Sequence, residues 1–330
     1  MKQTDYDVRL PDYTVENVFT LRAFDDRPYS WGVDYLKVNE VESDGTGKVF
    51  FVGDTEDGGI NHMAVNDVIE RSYCKRFTNE GPEIITGHGH GLHVGDTIHQ
   101  CAKGGVLAFV KVLINEGFGF NDWVANGIRY VADLELLPEH EGFTKIINLS
   151  IGSDTASKLI EDAIKYARSK GVEFFCAAGN DGKDVDYPGA FAEHVITVGA
   201  IDKQGNPTGF SGPGAQVDIA CPGQSIVAAY GNGYASLTGT SMATPHAAGI
   251  GGLIKHLTRD LEGFIKQYAT DIHEPGKDDK TGYGVPYATN YFGNPPEPDP
   301  DPEPDPLMPS WLIWVIGGVV ILGILLYFVF

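Results

Sequence analysis

Between residues 48 and 258 the chain alternates short, almost continuously apolar runs with longer segments in which apolar positions recur at helical spacing. The runs at 49–52, 106–113, 144–149, 173–177, 195–198 and 216–220 have the length and unbroken hydrophobicity of strands buried on both faces. The segments 121–136, 156–170 and 241–258 read as helices that follow them. This alternation predicts an α/β fold, a mostly parallel sheet covered by helices on both faces, with functional groups at strand ends and in the adjoining loops.

The pattern stops after Tyr291. Residues 294–306 read NPPEPDPDPEPDP, where prolines fix φ and remove backbone donors while the carboxylates between them repel one another. An extended spacer of about 35 to 40 Å follows, at about 3.1 Å per residue. Residues 311–330, WLIWVIGGVVILGILLYFVF, carry no charge and are long enough to cross a bilayer as a transmembrane helix. Trp311, Trp314 and Tyr327 sit near its ends, where interfacial aromatic rings belong. Four regions result: an N-terminal arm over 1–30 with an expected regulatory role, a catalytic block over 31–291, a spacer over 292–310 and a membrane helix over 311–330. The polar start, MKQTDYDVRLPDY, lacks an apolar signal core, and no Lys or Arg flanks the apolar span. The expectation is a single-pass C-terminal anchor with the catalytic block on the cytoplasmic side; display outside is the alternative.

Candidate chemistry lies in four motifs. Residues 239–249, GTSMATPHAAG, place Ser241 at the start of a small-residue helix, where a nucleophile can face a cleft. A serine hydroxyl attacks poorly at neutral pH and needs a histidine within hydrogen-bond reach and a group that orients it. GHGLHV at 89–94 offers His90, and KVFFVGDTEDG at 48–58 delivers Asp54 from the end of an apolar strand. FFCAAGNDG at 174–182 brings Asn180 to the tip of a glycine turn, where its amide can donate to a developing oxyanion. Singly, each has an ordinary explanation as a turn, cap or surface residue. Together, in the order Asp, His, Ser and in strand-end and helix-start contexts, they describe an acyl-transfer site. His93 reads as a packing residue, and His88 and His99 as solvated or loop residues whose spacing argues little for a metal.

On these motifs the chain resembles the subtilisin-like serine peptidases over about residues 31–288, and its layout is most similar to their intracellular branch. The resemblance implies Asp54, His90 and Ser241 as a triad and Asn180 as the oxyanion donor. It further implies that Ser150, Ile151 and Gly152 of NLSIG, with Gly119 opposite them, hold an extended polypeptide by β-augmentation. VRLPDY at 8–13 is similar to the segment with which intracellular relatives block their own cleft, and no large folding prodomain fits before the aspartate strand. Asp186, directly before Tyr187 and Pro188, matches the floor of the primary specificity pocket, and Asp181 matches its rim. That match predicts a preference for Lys or Arg before the scissile bond; the alternative is that Asp184 and Asp186 are solvated loop carboxylates. Two positions depart from the family pattern: Glu56 stands where glycine is common, and Leu92 where threonine is usual. The interval from His90 to Lys111 is also shorter than is usual, and the missing piece corresponds to the family's main calcium loop. No tight calcium site is expected there, since CAKGG at 101–105 offers no carboxylate, and no metal or other cofactor is required.

Charge narrows the partners. The formal charge is −21, and the tail after Tyr291 holds five carboxylates and no cation, which leaves −16 on the block. Such a balance argues against nucleic acid and would draw cationic peptides towards a cleft. Cys74, Cys101, Cys176 and Cys221 lack metal-type spacing and read as small buried hydrophobes. The expected function is a membrane-anchored serine endopeptidase acting on polypeptide substrates through an acyl-enzyme. The alternative is a catalytically silent, membrane-tethered peptide-binding module of the same fold.

Overall fold

The computed structural model describes residues 6–19, 29–58, 60–79 and 89–292. Apart from Phe292, the expected spacer and transmembrane helix lie outside the described residues, as does His88. Among the described residues no helix is long and apolar enough to cross a membrane.

An N-terminal arm contributes β1 (Val8–Arg9) and β2 (Thr14–Phe19). Helix α1 (Trp31–Tyr35) opens the globular block, its first turn capped by Ser30 Oγ, which accepts from the Gly32 N–H. There follow β3 (Lys48–Asp54), β4 (Lys75–Arg76), α2 (His90–Cys101), β5 (Val106–Lys111) and β6 (Phe118–Gly119). Then come α3 (Asn121–Asp133), β7 (Thr144–Leu149), α4 (Lys158–Ser169), β8 (Glu173–Ala177) and β9 (Ile196–Ile201). The chain continues with β10 (Ile219–Pro222), β11 (Ile226–Tyr230), β12 (Gly233–Thr238), α5 (Thr240–Ile254), α6 (Leu261–Tyr268) and α7 (Thr289–Phe292).

Seven strands form one sheet in the order β10-β9-β8-β7-β3-β5-β4, every neighbouring pair parallel. The pleat of β3 explains why its sequence is apolar at both parities. Val49 and Phe51 pack with α3 and α4 residues on one face, and Phe50 and Val52 with α2 and α5 residues on the other. Full burial of such side chains stabilises by about 1.5 to 3 kcal/mol each. Helices α2 and α5 approach closely because Gly249 has no Cβ, which would lie 2.4 Å from the Cys101 Cβ. A separate antiparallel sheet, β11-β12-β2, and the pair β1-β6 fasten the arm to the block.

All six expected strands form, those at 144–149 and 173–177 with the expected bounds and the other four with shifted ends. The run at 216–220 becomes a strand only from Ile219, because Val217 N–H closes a turn onto the Gly214 carbonyl. α5 ends at Ile254 and passes into a 3-10 turn, short of the expected residue 258, and α3 and α4 are likewise shorter than expected. Helix α2 was not among the expected helices; every residue in it except His99 is buried, including the polar His93, Asp96, Thr97 and Gln100 that recur at helical spacing. His99 is half-buried in its last turn rather than in a loop.

Candidate active site

Parallel topology brings the C-terminal ends of β3, β7 and β8 to one edge of the sheet, and the candidate residues sit there. Asp54 is the last residue of β3, and His90 the first of α2, entered through Gly89 at φ 89°, a left-handed conformation suited to glycine. His90 Nδ1 lies 3.0 and 2.9 Å from Asp54 Oδ1 and Oδ2, with both side chains fully buried. The Nδ1–H therefore donates to the carboxylate, which sets the tautomer and leaves Nε2 as the basic nitrogen. Nε2 is buried without a hydrogen-bond partner among the described residues. Asp54 Oδ1 also accepts from the Thr55 N–H at 2.8 Å.

Ser241 is the second residue of α5, at the positive end of the helix dipole. The proline four residues on, Pro245, has no N–H to give the Ser241 carbonyl. That carbonyl instead accepts from Ser150 Oγ at 3.0 Å, so the helix start is tied to the end of the β7 segment. Ser241 Oγ donates to the Ser150 carbonyl at 3.3 Å. Asn180 Oδ1 accepts from the Thr240 N–H at 2.7 Å and from Thr240 Oγ1 at 2.8 Å. These two bonds fix which end of the amide faces the site: Asn180 Nδ2 is buried and unpartnered, a donor held ready beside the serine. Thr240 escapes sequence reasoning; its position directly before the serine was the available signal.

Neighbouring groups are tuned by burial. His93 Nε2 is shared between the Ile226 and Ala235 carbonyls, and burial, then His90, pushes its pKa down to about 3, as suits a neutral packing residue. His246 is held between Ser30 Oγ and the Met242 carbonyl, and burial lowers it to about 4. Burial, joined by the Asp54 carboxylate, pushes Glu56 up to about 7. Of the loop carboxylates, Asp184 is exposed, whereas Asp186 is 8% exposed. Asp186 Oδ2 fills the space beside two glycines: a Cβ on Gly152 would lie 2.5 Å from it, and one on Gly179 2.9 Å. Burial raises Asp186 to about 6, although the Arg9 guanidinium opposes the rise. Asp181 is exposed and bound to the Lys183 N–H at 2.9 Å and to Lys183 Nζ at 3.3 Å, so it does not join Asp186 in a shared buried cluster. All four cysteines are free thiols, Cys74 half-buried and the others buried.

The arm lies in this cleft. Arg9 N–H donates to the Gly152 carbonyl at 2.9 Å and Gly152 N–H to the Arg9 carbonyl at 2.7 Å. On the other side Asp7 N–H reaches the Gly119 carbonyl at 3.0 Å, and Leu10 N–H the Gly117 carbonyl at 2.8 Å. Val8 to Leu10 is thus an extra strand between Gly152 and β6. Arg9 Nη2 pairs with Asp154 at 3.1 Å. Four residues on from Arg9, Tyr13 tilts its ring against His90 with centroids 4.9 Å apart. Pro11 and Asp12 therefore bridge from the Gly152 edge to the His90 ring, the interval in which Ser241 lies.

A buried carboxylate–imidazole pair with a free Nε2, a serine at a helix N-terminus and an aimed amide define the class of serine acyl-transfer enzymes. The chain belongs to the subtilase family, whose family model, Peptidase S8, matches residues 48–284, and it is a serine endopeptidase. It is 32% identical over 262 residues to Thermostable alkaline protease of Halalkalibacterium halodurans, covering 74% of this chain and 69% of the relative. It is 34% identical over 259 residues to Subtilisin BL of Lederbergia lenta, covering 73% of this chain and 91% of that one. Among solved structures, Sphericase superposes with a TM-score of 0.69 at 29% identity, over 79% of this chain and 98% of the other.

Proposed function

We propose that this endopeptidase is membrane-anchored, cleaves extended polypeptides after Lys or Arg, and is restrained by its own N-terminal arm. The observation that carries this reading is the arm's course through the cleft. Arg9 and Gly152 exchange both hydrogen bonds of an antiparallel pair, so two residues further the partner of Ser150 is Pro11. An ordinary residue there would donate its N–H to the Ser150 carbonyl; proline has none. The carbonyl accepts instead from Ser241 Oγ, which turns the nucleophile's proton away from His90. The arm thus binds as a substrate does and is poorly placed for cleavage. Substrates use the same ladder, with Ser150, Ile151 and Gly152 along one edge and Gly119 on the other. Asn180 Nδ2 and the Ser241 N–H receive the oxyanion.

Asp186 supplies the preference for a cation before the scissile bond. A Lys or Arg reaching it in a partly desolvated pocket gains a charge-assisted hydrogen bond of roughly 1.5 to 3 kcal/mol. The Arg9 guanidinium in the field of Asp186, Asp154 and Asp181 supports a cleft that favours cations. The anchor rests on the uncharged stretch 311–330, and the cytoplasmic side on four unpaired cysteines, which suit a reducing compartment. Activity needs no tight calcium at the turn after α2. Profiling a peptide library with the wild type and Asp186→Gly tests the substrate class, and a preference for large apolar residues in the wild type would sink it. Carbonate extraction of membranes with and without residues 311–330 tests the anchor: release of the full chain into the supernatant would refute it.

A further inference from the structure

Glu56 is a second buried carboxyl group in the triad's immediate surroundings, only 3% exposed and two residues after Asp54. Its Oε1 accepts from the Gly89 N–H at 2.7 Å, directly before His90. Its Oε2 lies 2.5 Å from Thr55 Oγ1, and that hydroxyl lies 3.1 Å from Asp54 Oδ1. The side chain also occupies the place of a Cβ on Gly91, which would fall 2.1 Å from Oε2. One hydroxyl therefore bridges two carboxyl groups, and a hydroxyl has a single proton to donate. If both carboxyls were anionic, one of these contacts would set two acceptors against each other. The arrangement closes when Glu56 is a neutral acid: Oε2–H donates to Thr55 Oγ1, the Thr55 O–H donates to Asp54 Oδ1, and the carbonyl oxygen Oε1 accepts from Gly89.

We propose that Glu56 is a positioning residue, carried as a neutral acid whose proton is relayed through the Thr55 hydroxyl to Asp54, so that its ionisation changes the basicity of the triad. The groups around it are compatible with this state. Asp54 on β3 disfavours a second anion, and His90 on α2 lies across from both. Tyr13 of the arm faces the same two carboxyls, and burial, followed by Tyr230 and then Asp54, holds its phenol neutral. Lys111 on β5 gives its Nζ to the Thr55 carbonyl at 2.5 Å, and to Asn115, so it steadies the backbone. Asp57, the next residue, is paired with Arg76. Desolvation by burial, which moves Glu56 up to about 7, agrees with the hydrogen-bond count.

The consequence falls near neutral pH. Below about 7 the relay is intact and Asp54 carries the only negative charge beside the imidazole. Above it Glu56 becomes an anion, and a second buried negative charge stabilises the imidazolium against the neutral base that catalysis uses. The two protons then leave as a coupled pair. Glu56→Gln reproduces the neutral acid in shape and in hydrogen bonding, because its amide donates to Thr55 and its carbonyl accepts from Gly89, yet it cannot ionise.

The test uses the full chain. The ring-nitrogen signals of His90 are followed by NMR from pH 5 to 9 in the wild type and in Glu56→Gln, and the acid limb of kcat/KM on a small peptide is recorded for both. In the wild type the His90 signals should show an inflection near pH 7 from Glu56, which disappears in Glu56→Gln. In Glu56→Gln the midpoint of the acid limb should move to lower pH, with the difference largest near pH 7 and the two profiles converging well below it, where wild-type Glu56 is neutral as well. A protonated-carboxyl stretch in infrared difference spectra should be present at pH 6 and lost in the variant. Identical His90 titrations and superimposable pH profiles would overturn the proposal, as would absence of the infrared band. Should Glu56→Gln fail to fold, Thr55→Val interrupts the relay while Glu56 stays: a changed His90 inflection supports the relay, and an unchanged one refutes it.

Discussion

Asp54, His90 and Ser241 have no exposed surface, whereas Val15 and Val18 of the arm that runs past them are 42% and 64% exposed. The triad is fixed by burial on all sides: by the sheet beneath β3, by the α2–α5 contact at Gly249, and by side-chain bonds such as Ser150 to Ser241. The arm is fixed mainly by backbone hydrogen bonds to Gly117, Gly119 and Gly152 and by the β2-β12 ladder. Backbone bonds of the first kind are ones any extended peptide can make. On the proposed function, the difference separates what must stay in place for chemistry from what substrate would displace, and mutations on the two sides should differ in kind as well as size.

The largest effect should come from the buried side. Ser241→Ala or His90→Ala should lower turnover by several orders of magnitude with little change in melting temperature, because triad members act as a unit. Full activity in Ser241→Ala would break the assignment. Asn180→Ala removes one oxyanion donor and should cost roughly 10² to 10³ in kcat with a small change in KM. A loss confined to KM would mean that Asn180 serves ground-state binding instead.

The arm should respond in the opposite direction. Deleting residues 1–13 should raise kcat/KM on a small peptide by at least roughly tenfold, as expected when a tethered competitor of high effective concentration is removed. Unchanged activity in a folded truncation would show that the arm does not obstruct the cleft. Pro11→Arg sharpens the comparison, because it restores an N–H opposite Ser150 and also supplies the cation that the proposed pocket prefers, so it should make the arm a substrate. Mass spectrometry should then find cleavage after residue 11; an intact arm in an active enzyme would argue against the register.

How much of this was legible in the sequence depended on whether a residue's role shows in local pattern. The strands of the parallel sheet were legible because burial on both faces leaves unbroken apolar runs. The positions of Asp54, His90, Ser241 and Asn180 were legible because each stands at a helix start or at or just after a strand end, with a glycine one or two residues before it. Helix α2 was not: His93, Asp96, Thr97 and Gln100 recur in it at helical spacing, but they are buried polar residues and mark no solvent face. Nor was the pairing of β12 with β2, which joins residues more than two hundred positions apart. VRLPDY suggested a blocking segment, but Tyr13 against His90 and the Pro11–Ser150 register are tertiary facts. Asp186 was the sharpest ambiguity: sequence left it between pocket floor and solvated loop, and its burial beside Gly152 and Gly179 removes the solvated position.

A last prediction tests whether buried pocket and exchangeable arm meet at one carboxylate. Replacing Asp186 by Gly should reduce the preference for Lys or Arg over Phe or Leu by about ten- to a hundredfold, at 1.4 kcal/mol per factor of ten. The same preference should depend on pH, because only the ionised carboxyl attracts a cation strongly. Burial raises Asp186 to about 6, so the preference should be full at pH 8 and should fade as pH drops through 6. One unit below, about a tenth of the molecules keep the anion, so the ratio of kcat/KM for basic over apolar peptides should fall several-fold between pH 8 and pH 5. The Asp186→Gly enzyme should show no such fall. The ratio is read within one enzyme at each pH, so ionisation of the triad, which scales both substrates alike, cancels. A ratio that stays flat in the wild type down to pH 5 would place the specificity charge elsewhere in the cleft.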